Sequence, residues 1–451
     1  MARLKTVYRC QQCGHSAAKP MGQCPGCAEW NVMVEEVVEA RAEALTSFSS
    51  PVVALKDVNE DAQARMPVGI GELDRLLGGG LVPGQVVLLA GPPGIGKSTL
   101  MLQAAAKLAQ KGAFLYATGE ESLRQVAGRA KRLDLSAEQL FLVSETNLSK
   151  ILATVEEVKP WAMVLDSVQT ASHPQLASSP GSVGQVRECA AELVRAAKSR
   201  DMVVFLLGHV TKDGSLAGPK VLEHLVDTVL YFDTERHDLL RVLRAHKNRF
   251  GPTDELGLFE MGERGLREVT DAASFFLADL GREPQPGRAV SVALEGSRPL
   301  LVETQALVVP TRYPLPRRTA TGLDLNRVLV LLASMERHIG LRLEDRDAFV
   351  SLAGGLRLKD PALDLAACMA VAGSARDKAV PADFVLVGEV GLLGEVGRVP
   401  QLEARLKEAA KAGFKRALVP QRSATDLPKG LGISVMGVAD LRAAVAAVFI
   451  D

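Results

Sequence analysis

One stretch of nine residues constrains this chain more than any other, because it matches the G-x-x-x-x-G-K-[S/T] phosphate-binding pattern. These residues, our candidates for nucleotide binding, are Gly91, Pro92, Pro93, Gly94, Ile95, Gly96, Lys97, Ser98 and Thr99. The apolar run at 86–90 predicts a buried parallel strand, and the Ala- and Leu-rich run at 100–106 predicts a helix. A phosphate loop requires this strand–loop–helix context, which a simple glycine-rich turn does not need.

The residue types of this stretch suit a nucleoside triphosphate. A loop with few side chains lets consecutive backbone N–H groups converge on phosphate oxygens, and the following helix presents its amino end to negative charge. We expect Lys97 to reach the β- and γ-phosphates and Ser98 to bind Mg²⁺. ATP and Mg²⁺ are therefore the predicted ligands.

The composition predicts a soluble globular protein of two or three domains. The chain has 451 residues, of which 47% are hydrophobic, enough for several cores. No run approaches the roughly 18 apolar residues of a membrane span, and the start lacks a signal peptide's apolar core, so we expect a cytoplasmic protein without a membrane partner. The 53 basic and 53 acidic residues cancel, so any nucleic-acid binding must use a local patch.

Four of the six cysteines form two C-x-x-C pairs near the start of the chain, Cys10 with Cys13 and Cys24 with Cys27. This spacing is typical of a tetrahedral Cys₄ zinc site, which would stabilise a module too short to bury a core. Iron in a rubredoxin-like site is the alternative metal, and two disulfides are disfavoured in a cytoplasmic chain.

Strands alternate with helices across the middle of the chain. Besides the strand before the phosphate loop, apolar runs predict strands at 114–117, 140–143, 162–165, 203–207 and 228–231. This alternation indicates an α/β fold with a mostly parallel sheet covered on both faces.

Acidic residues follow two of these strands. Asp166 ends one strand, and Glu120 and Glu121 follow another. The carboxyl ends of parallel strands share one edge of the sheet, so a carboxylate there can hold Mg²⁺ or activate the attacking water. A carboxylate that follows a strand is otherwise typical of a helix cap.

These features together resemble the RecA-type ATPase core. The lead-in at 69–85, the cysteine pairs and the KNRFG segment at 247–251 resemble the bacterial RadA (Sms) family of DNA repair and recombination proteins over nearly the whole chain. The resemblance implies that Lys97 and Ser98 bind the nucleotide, that Asp166 is the Walker B acid and Mg²⁺ ligand, and that Glu120 is the catalytic glutamate. Lys247 and Arg249 are the family's basic pair.

The resemblance also gives names to the predicted domains. Residues 1–36 form a Cys₄ zinc finger, 37–65 a linker with one short strand at 52–55, and 66–280 a RecA-like ATPase domain. Residues 281–451 form an α+β Lon-protease-like domain, in which we expect hairpins at 289–308 and 384–396 and helices at 325–337 and 401–412.

The basic pair follows the predicted strand 239–243. A solvated strand edge has the same composition, but in an oligomeric ATPase such cations can complete a neighbour's active site, so Lys247 and Arg249 are counted as candidate catalytic residues. The resemblance to RecA-like folds implies that the Gly-rich segment 209–220 senses nucleotide and touches DNA, with 172–184 as its companion loop. The alternative for loops of this length is that they are merely mobile.

The Lon-protease-like domain lacks the residues for peptidase chemistry. The resemblance puts Ala362 where Lon has its nucleophilic serine, and Glu403 is the nearest match to the partner lysine, so no acyl transfer is expected. We expect a scaffold that closes a ring or binds DNA through basic residues, namely Arg312, Arg317, Arg318, Arg405, Lys407, Lys411, Lys415 and Arg416.

The sequence therefore predicts an ATP-driven motor of homologous recombination and repair. As the resemblance implies, it would bind single-stranded and branched DNA, migrate DNA branches, assemble as a hexameric ring, and meet the recombinase RecA and other repair proteins. The alternatives are a KaiC-like signalling ATPase and a Lon-like ATP-dependent protease.

Overall fold

The computed structural model describes residues 4–12, 15–39, 65–176, 178–209, 220–235, 240–253, 255–269, 283–355 and 357–449. The chain divides into two compact units, one of Met1–Thr234 with Leu240–Glu268 and one of Glu235–Leu239 with Val269–Asp451. In these described ranges, no helix has the length and apolar character needed to cross a membrane. The linker at 37–65 and the domain boundary at 280 lie largely outside the described residues and stay predictions.

The amino-terminal module is a small antiparallel sheet. Its strands are β1 (Leu4–Cys10), β2 (Ser16–Ala17) and β3 (Met33–Glu39), in the order β2-β1-β3. Cys10 ends β1, and Cys24 and Cys27 lie in the connection between β2 and β3, so the sheet positions these thiols.

A nine-stranded sheet forms the centre of the first unit, in the order β12-β11-β10-β9-β4-β8-β7-β5-β6. Its strands in chain order are β4 (Val86–Gly91), β5 (Phe114–Thr118), β6 (Leu140–Ser144), β7 (Ala162–Asp166), β8 (Val203–His209), β9 (Thr228–Glu235), β10 (Leu240–Asn248), β11 (Leu256–Gly262) and β12 (Gly265–Glu268). The strands β9, β4, β8, β7, β5 and β6 run parallel, and β10 to β12 form an antiparallel extension.

Helices cover both faces of this sheet. They are α1 (Gly71–Leu76), α2 (Lys97–Leu108), α3 (Leu123–Arg132), α4 (Leu148–Val158), α5 (Val183–Arg200) and α6 (Lys220–Leu225). In β4, Val87 and Leu89 point into the core under α2, whereas Val86 and Leu88 point into the core under α4 and α5. Because both faces of β4 are buried, its sequence is continuously apolar. The predicted sheet is confirmed.

The second unit is α+β, as expected. One sheet, in the order β13-β14-β16-β15, contains β13 (Arg288–Glu295), β14 (Arg298–Pro310), β15 (Arg318–Thr321) and β16 (Arg346–Leu352). A parallel sheet contains β17 (Phe384–Leu386), β20 (Arg416–Pro420) and β21 (Ser434–Val438), and a small hairpin contains β18 (Glu389–Val390) and β19 (Val396–Gly397). The helices are α7 (Leu325–Ile339), α8 (Asp364–Arg376), α9 (Leu402–Lys411), α10 (Gln421–Ala424) and α11 (Leu441–Val448).

One hairpin expectation needs correction. The first predicted hairpin exists, as β13 and β14. In the stretch 384–396, however, β17 pairs in parallel with β20, and the hairpin is the shorter β18–β19 that follows. The apolar residues of β17 are buried by a strand distant in sequence, which local alternation does not reveal.

Candidate nucleotide-binding site, metal centre and basic motif

The predicted phosphate loop joins β4 to α2. β4 ends at Gly91, where a Cβ would lie 2.6 Å from the carbonyl oxygen of Phe232, so only glycine fits beside β9. The helix starts at Lys97, and Ser98 and Thr99 are half-buried in its first turn. The exposed segment Pro92 to Gly94 leaves the concave side of the loop accessible to phosphate.

The Lys97 ammonium is folded back onto this loop. Its Nζ donates to the carbonyl oxygens of Gly91 at 2.8 Å and Pro92 at 2.9 Å, and it lies 3.2 Å from Nδ1 of His209. Burial lowers the pKa of Lys97 to about 8, against the opposing attraction of Asp166 and Glu120. A buried ammonium group that contacts the loop is the group expected to bind the negatively charged phosphates.

Strand register brings the other site residues to the same edge. Gly91 pairs with His209 across β4 and β8, and Thr118 pairs with Asp166 across β5 and β7. Parallel strands end at a common edge, so residues up to about 120 positions apart in the chain become neighbours of the phosphate loop.

Asp166 is the last residue of β7 and is 5% exposed. Its Oδ2 accepts a hydrogen bond of 2.7 Å from the hydroxyl of Tyr116, a residue that the sequence analysis had not singled out. Burial and the neighbouring Asp166 charge raise the pKa of Tyr116, so the phenol stays protonated and orients the carboxylate. The carboxylate of Asp166 and the hydroxyl of Ser98 are oxygen ligands of the kind that Mg²⁺ prefers.

The two adjacent glutamates have different surroundings. Oε1 of Glu120 accepts from the Ser167 hydroxyl at 2.5 Å and lies 3.0 Å from Nε2 of His209. Glu121 instead forms an ion pair with Arg129 on α3. Burial alone would raise the pKa of Glu120, but the hydrogen bonds from Ser167 and His209 hold it below its usual value. Glu120 is therefore an ionised carboxylate facing the site.

His209 joins the phosphate loop to Glu120. Because the Lys97 ammonium can only donate, Nδ1 of His209 accepts and its Nε2–H donates to Glu120. In the sequence, His209 marks only the start of the segment 209–220, of which residues 210–219 lie outside the described residues. The one signal in the sequence for a role of His209 in the site was its position at the end of a strand. Its pairing with Gly91 depends on the order of the strands in the sheet.

The basic pair lies at the opposite edge of the sheet. Lys247 donates to the carbonyl oxygens of Glu223 at 2.6 Å and Val226 at 2.8 Å, at the carboxyl end of α6. Burial, and then the charge of Arg249, lowers the pKa of Lys247. In this chain Lys247 thus caps a helix whose last carbonyls would otherwise lack donors.

Arg249 pairs with the buried Asp227 at 3.2 Å. Asp227 also accepts from the backbone of Val86 and from Lys198, so the pair lies beside the amino end of β4. Gly91 is five residues further along this strand, about 16 Å away at the rise of a β-strand. The Arg249 side chain, which is 56% exposed, therefore lies far from the phosphate loop of its own chain.

The rest of the KNRFG segment fixes this position. The Asn248 amide donates to the carbonyl of Leu76 at 3.0 Å, and its oxygen accepts from the backbone of Phe250. A Cβ on Gly251 would lie 2.9 Å from Cα of Gly78, so the two backbones touch. The segment is a fixed projection rather than a solvated strand edge.

Three of the four predicted metal ligands meet in the amino-terminal module. The sulfur atoms of Cys10, Cys24 and Cys27 all lie within 4.8 Å of one another, while Cys13 is outside the described residues. The backbone N–H groups of Gln12 and Gly26 lie 3.3 Å from the sulfurs of Cys10 and Cys24, respectively. This donor set fits a tetrahedral thiolate metal site and is compatible with zinc or iron.

The C-terminal unit has a buried ion pair beside Ala362, the residue that the resemblance matches to Lon's serine. Ala362 is fully buried, and its backbone N–H donates to Asp360. The guanidinium of Arg405, also fully buried, binds the same Asp360 carboxylate at 2.5 Å. Glu403, the position expected from sequence, is exposed and pairs with Lys407. Arg405, two residues further along α9, is the residue that points inward.

The expected basic surface of this unit is largely paired. Arg405 is buried, and four others are engaged within the unit: Arg317 with Asp347, Lys407 with Glu403, Lys411 with Glu408 and Arg416 with Asp383. The guanidinium of Arg318 donates to backbone carbonyls of Leu343 and Arg346. Counting basic residues therefore overestimated the charge that this surface presents.

Three family descriptions match successive parts of the chain. Residues 8–35 match the rubredoxin metal binding domain, residues 53–215 match the AAA domain, and residues 325–423 match subunit ChlI of Mg-chelatase. They follow the order of the cysteine module, the large sheet and the C-terminal unit.

The fold and the phosphate loop define a RecA-like P-loop ATPase with an amino-terminal cysteine module and a C-terminal ChlI-like domain. The chain is 47% identical over 450 residues to the DNA repair protein RadA of Bacillus subtilis (strain 168), covering 98% of both chains. It is 45% identical over 443 residues to that of Listeria monocytogenes, covering 97% of this chain and 96% of the relative. The chain therefore belongs to the DNA repair protein RadA family.

Two solved structures are similar to about half of the chain. A KaiC-like protein from Pyrococcus horikoshii OT3 is 21% identical, with a TM-score of 0.40, over 46% of this chain and 99% of that protein. A second structure, the ATPase domain of another protein, is 16% identical, with a TM-score of 0.41, over 47% of this chain and 93% of that domain.

Proposed function

We propose that this chain is an ATP-driven motor of homologous recombination and repair that binds single-stranded DNA and promotes branch migration. The observation that carries the proposal is the convergence of Lys97, Asp166, Glu120 and His209 on one edge of the sheet. The choice of DNA as the partner rests on the names of the relatives, which are DNA repair proteins.

Each side chain has a separate role in the proposed hydrolysis. Lys97 exchanges its contacts with loop carbonyls for contacts with the β- and γ-phosphates, and Ser98 with Asp166 holds Mg²⁺. When bound, Mg²⁺ neutralises phosphate charge. Glu120 orients the attacking water and accepts its proton, for which an ionised carboxylate is required.

His209 is proposed to connect phosphate binding to Glu120. Lys97 and Glu120 both contact the same imidazole. Movement of Lys97 toward phosphate frees Nδ1, so the hydrogen bond that holds Glu120 becomes sensitive to the nucleotide. The strand β8, which ends at His209, leads into the segment 210–219, the proposed DNA-contacting loop. DNA bound to this loop would therefore affect the nucleotide site through His209.

We propose that Lys247 and Arg249 act between subunits of a homo-oligomeric ring, which we take to be a hexamer. Support comes from their position, since they lie at the sheet edge opposite their own phosphate loop and Arg249 is more than half exposed. A cation of that kind can stabilise phosphate charge in the site of the next subunit.

The cysteine module is proposed to bind zinc through Cys10, Cys13, Cys24 and Cys27. Support comes from three sulfurs already clustered within 4.8 Å. The metal would supply the folding free energy that a module with so few buried residues lacks.

The C-terminal domain is proposed to be a scaffold. A peptidase of the Lon kind needs a nucleophile and a base, whereas this unit has a buried methyl group at Ala362 and a buried guanidinium at Arg405 that is paired with Asp360. Interactions with the recombinase RecA and other repair proteins are also proposed, and the only support for them is membership of the RadA family.

The test is ATP turnover by the full-length chain with and without single-stranded DNA, together with a branched-DNA substrate. We expect DNA to stimulate hydrolysis and ATP to drive branch movement, both lost in Lys97→Ala. Lys107→Ala, at an exposed lysine of the same helix, is the matched control and should behave as the unmodified chain. Hydrolysis indifferent to DNA would favour a signalling ATPase, and ATP-dependent proteolysis would favour a protease.

A further inference from the structure

Tyr116 lies behind the nucleotide site, on the strand next to the one that ends at Asp166. Across the parallel strands β5 and β7, Tyr116 pairs with Val164 and Thr118 pairs with Asp166. Alternate residues of a strand point to the same face of a sheet, and residues paired in register do so as well. The register therefore places the phenol of Tyr116 next to the carboxylate of Asp166.

The phenol holds one oxygen of this carboxylate. Its hydroxyl donates to Oδ2 of Asp166 at 2.7 Å, because an ionised carboxylate can only accept. The ring of Tyr116 is packed in the buried core under α2, so the hydroxyl has a fixed position. Among the residues that the structure describes, no hydrogen bond to Oδ1 of Asp166 occurs. The carboxylate is thus oriented with Oδ2 toward the core and Oδ1 left for the site.

A carboxylate can bind a cation through one oxygen or through both. Ca²⁺ takes about six to eight oxygen ligands in flexible geometry and often binds both oxygens of one carboxylate, whereas Mg²⁺ requires near-octahedral geometry and keeps several waters. Binding through both oxygens requires that both turn toward the ion together. Because Tyr116 holds Oδ2 toward the core, Asp166 offers one oxygen to a metal ion or to a water of its hydration shell.

The other groups near this edge of the sheet also offer single oxygens. Ser98 supplies one hydroxyl from the first turn of α2. Oε1 of Glu120 is engaged with Ser167 and His209, so this carboxylate also has one of its two oxygens occupied. A set of single oxygens, completed by phosphate oxygens and water, suits the octahedral Mg²⁺ ion better than the larger Ca²⁺ ion.

We propose that the Tyr116 hydroxyl makes the nucleotide site select Mg²⁺ over Ca²⁺, because it restricts Asp166 to one oxygen that faces the metal. Tyr116 acts through Asp166 and is therefore a positioning residue. The inference rests on the proposed role of Asp166 as a metal ligand and adds a residue that does not itself contact metal or nucleotide. Removal of a group that orients a metal ligand in this way changes metal affinity about 10- to 100-fold.

The first test measures binding of adenylyl imidodiphosphate, a non-hydrolysable ATP analogue, to the full-length chain during titration with MgCl₂ or CaCl₂. In the unmodified chain, Mg²⁺ should support binding at concentrations about tenfold lower than Ca²⁺. In Tyr116→Phe the required Mg²⁺ concentration should rise about tenfold. The required Ca²⁺ concentration should stay the same or fall, because Oδ2 is then free to turn toward the ion with Oδ1.

Tyr231→Phe is the matched control. The hydroxyl of Tyr231 also donates to a carboxylate, that of Glu223, at 2.8 Å, and neither residue is a candidate metal ligand. This variant loses the same atom and should keep the metal preference of the unmodified chain. Thermal unfolding of both variants, without nucleotide or divalent metal, measures separately what each hydroxyl contributes to the fold.

The second test measures steady-state ATP turnover as a function of Mg²⁺ concentration. If the hydroxyl positions Asp166 for the metal, Tyr116→Phe should need about tenfold more Mg²⁺ for half-maximal turnover, with a maximal rate close to that of the unmodified chain. A lower maximal rate with unchanged half-saturation by Mg²⁺ would overturn the proposed role.

The outcomes separate this inference from the proposed nucleotide site. A Tyr116→Phe chain that keeps the metal preference, or that weakens equally with both metals, overturns the role of the hydroxyl and leaves the nucleotide site intact. A chain that binds the analogue with neither metal overturns both. If Tyr116→Phe does not fold, the unmodified chain still decides, because equal support of binding by Mg²⁺ and Ca²⁺ overturns the proposed selectivity.

Discussion

Nε2 of His209 lies 3.0 Å from Oε1 of Glu120, so a residue at the end of β8 holds the candidate catalytic carboxylate that follows β5. The same imidazole lies 3.2 Å from the Lys97 ammonium on its other nitrogen. One ring therefore contacts both the group that binds phosphate and the group proposed to activate water.

We expect His209→Ala to reduce ATP hydrolysis about tenfold or more, which corresponds to about 1.4 kcal/mol in the activation barrier, with ATP affinity within a few-fold. His209→Gln should recover part of the rate, because an amide can accept from Lys97 and donate to Glu120. His246→Ala, at an exposed histidine, is the control. Steady-state turnover and equilibrium nucleotide binding measure the two effects, and a full rate in His209→Ala would remove the proposed link.

Glu120 and Asp166 should give separable defects. We expect Glu120→Gln to bind ATP normally but to hydrolyse it about 10² to 10⁴ times more slowly, the usual contribution of a general base. Asp166→Asn should weaken Mg²⁺-dependent nucleotide binding instead. Glu121→Gln, whose carboxylate pairs with Arg129, should retain turnover. Binding titrations at several Mg²⁺ concentrations would contradict these roles if both variants lost affinity equally.

Nucleotide binding should take up a proton above about pH 8. The pKa of Lys97 is about 8, so the amine is increasingly neutral above that pH, whereas phosphate binds the ammonium. ATP affinity should therefore fall as pH rises past 8. Stability should move the other way, because between about 8 and 10.5 the unfolded chain holds a proton that the folded chain lacks.

Calorimetric titration with ATP in buffers of different ionisation enthalpy measures this proton uptake. We expect uptake near pH 9 and almost none near pH 6.5. In Lys97→Met any residual binding should proceed without it. Equal proton exchange at both pH values would mean that Lys97 keeps its charge in the free site.

Removal of one thiol should affect the metal module alone. We expect Cys24→Ser to lose one bound metal per chain and to make residues 1–36 sensitive to protease, with ATP binding retained, because the large sheet has its own core. Cys189→Ala, at a buried cysteine of α5, should keep the metal. Elemental analysis of the purified chain also distinguishes zinc from iron, and absence of any metal would contradict the site.

Lys247 and Arg249 should differ in what they do to stability. Lys247→Ala removes two hydrogen bonds to the end of α6, at about 1 kcal/mol each, so thermal unfolding should shift down. Arg249→Ala should shift it less, since Asp227 keeps Lys198 and the Val86 N–H as partners.

The effect of Arg249→Ala should instead appear in the assembled enzyme, as slower hydrolysis with ATP binding retained. Mixing Arg249→Ala chains with Lys97→Ala chains should restore turnover, because each kind supplies what its neighbour lacks. No recovery in the mixture, under conditions where the two kinds of chain assemble together, would argue against action between subunits.

The sequence alone determined the features that depend on neighbouring residues. The phosphate loop, the C-x-x-C pairs and the alternation of strands and helices are local patterns, and in the residues that the structure describes they lie where they were expected. Asp166 at the end of its strand follows from the same local reasoning.

Tertiary structure decided the features that depend on strand order and packing. Glu120 rather than Glu121 faces the site because Ser167 and His209 come from neighbouring strands. Arg405 rather than Glu403 points inward because α9 buries only one of its faces. The placement of Lys247 and Arg249 away from their own phosphate loop follows from the position of β10 beside β9, which brings Arg249 to Asp227 at the amino end of β4.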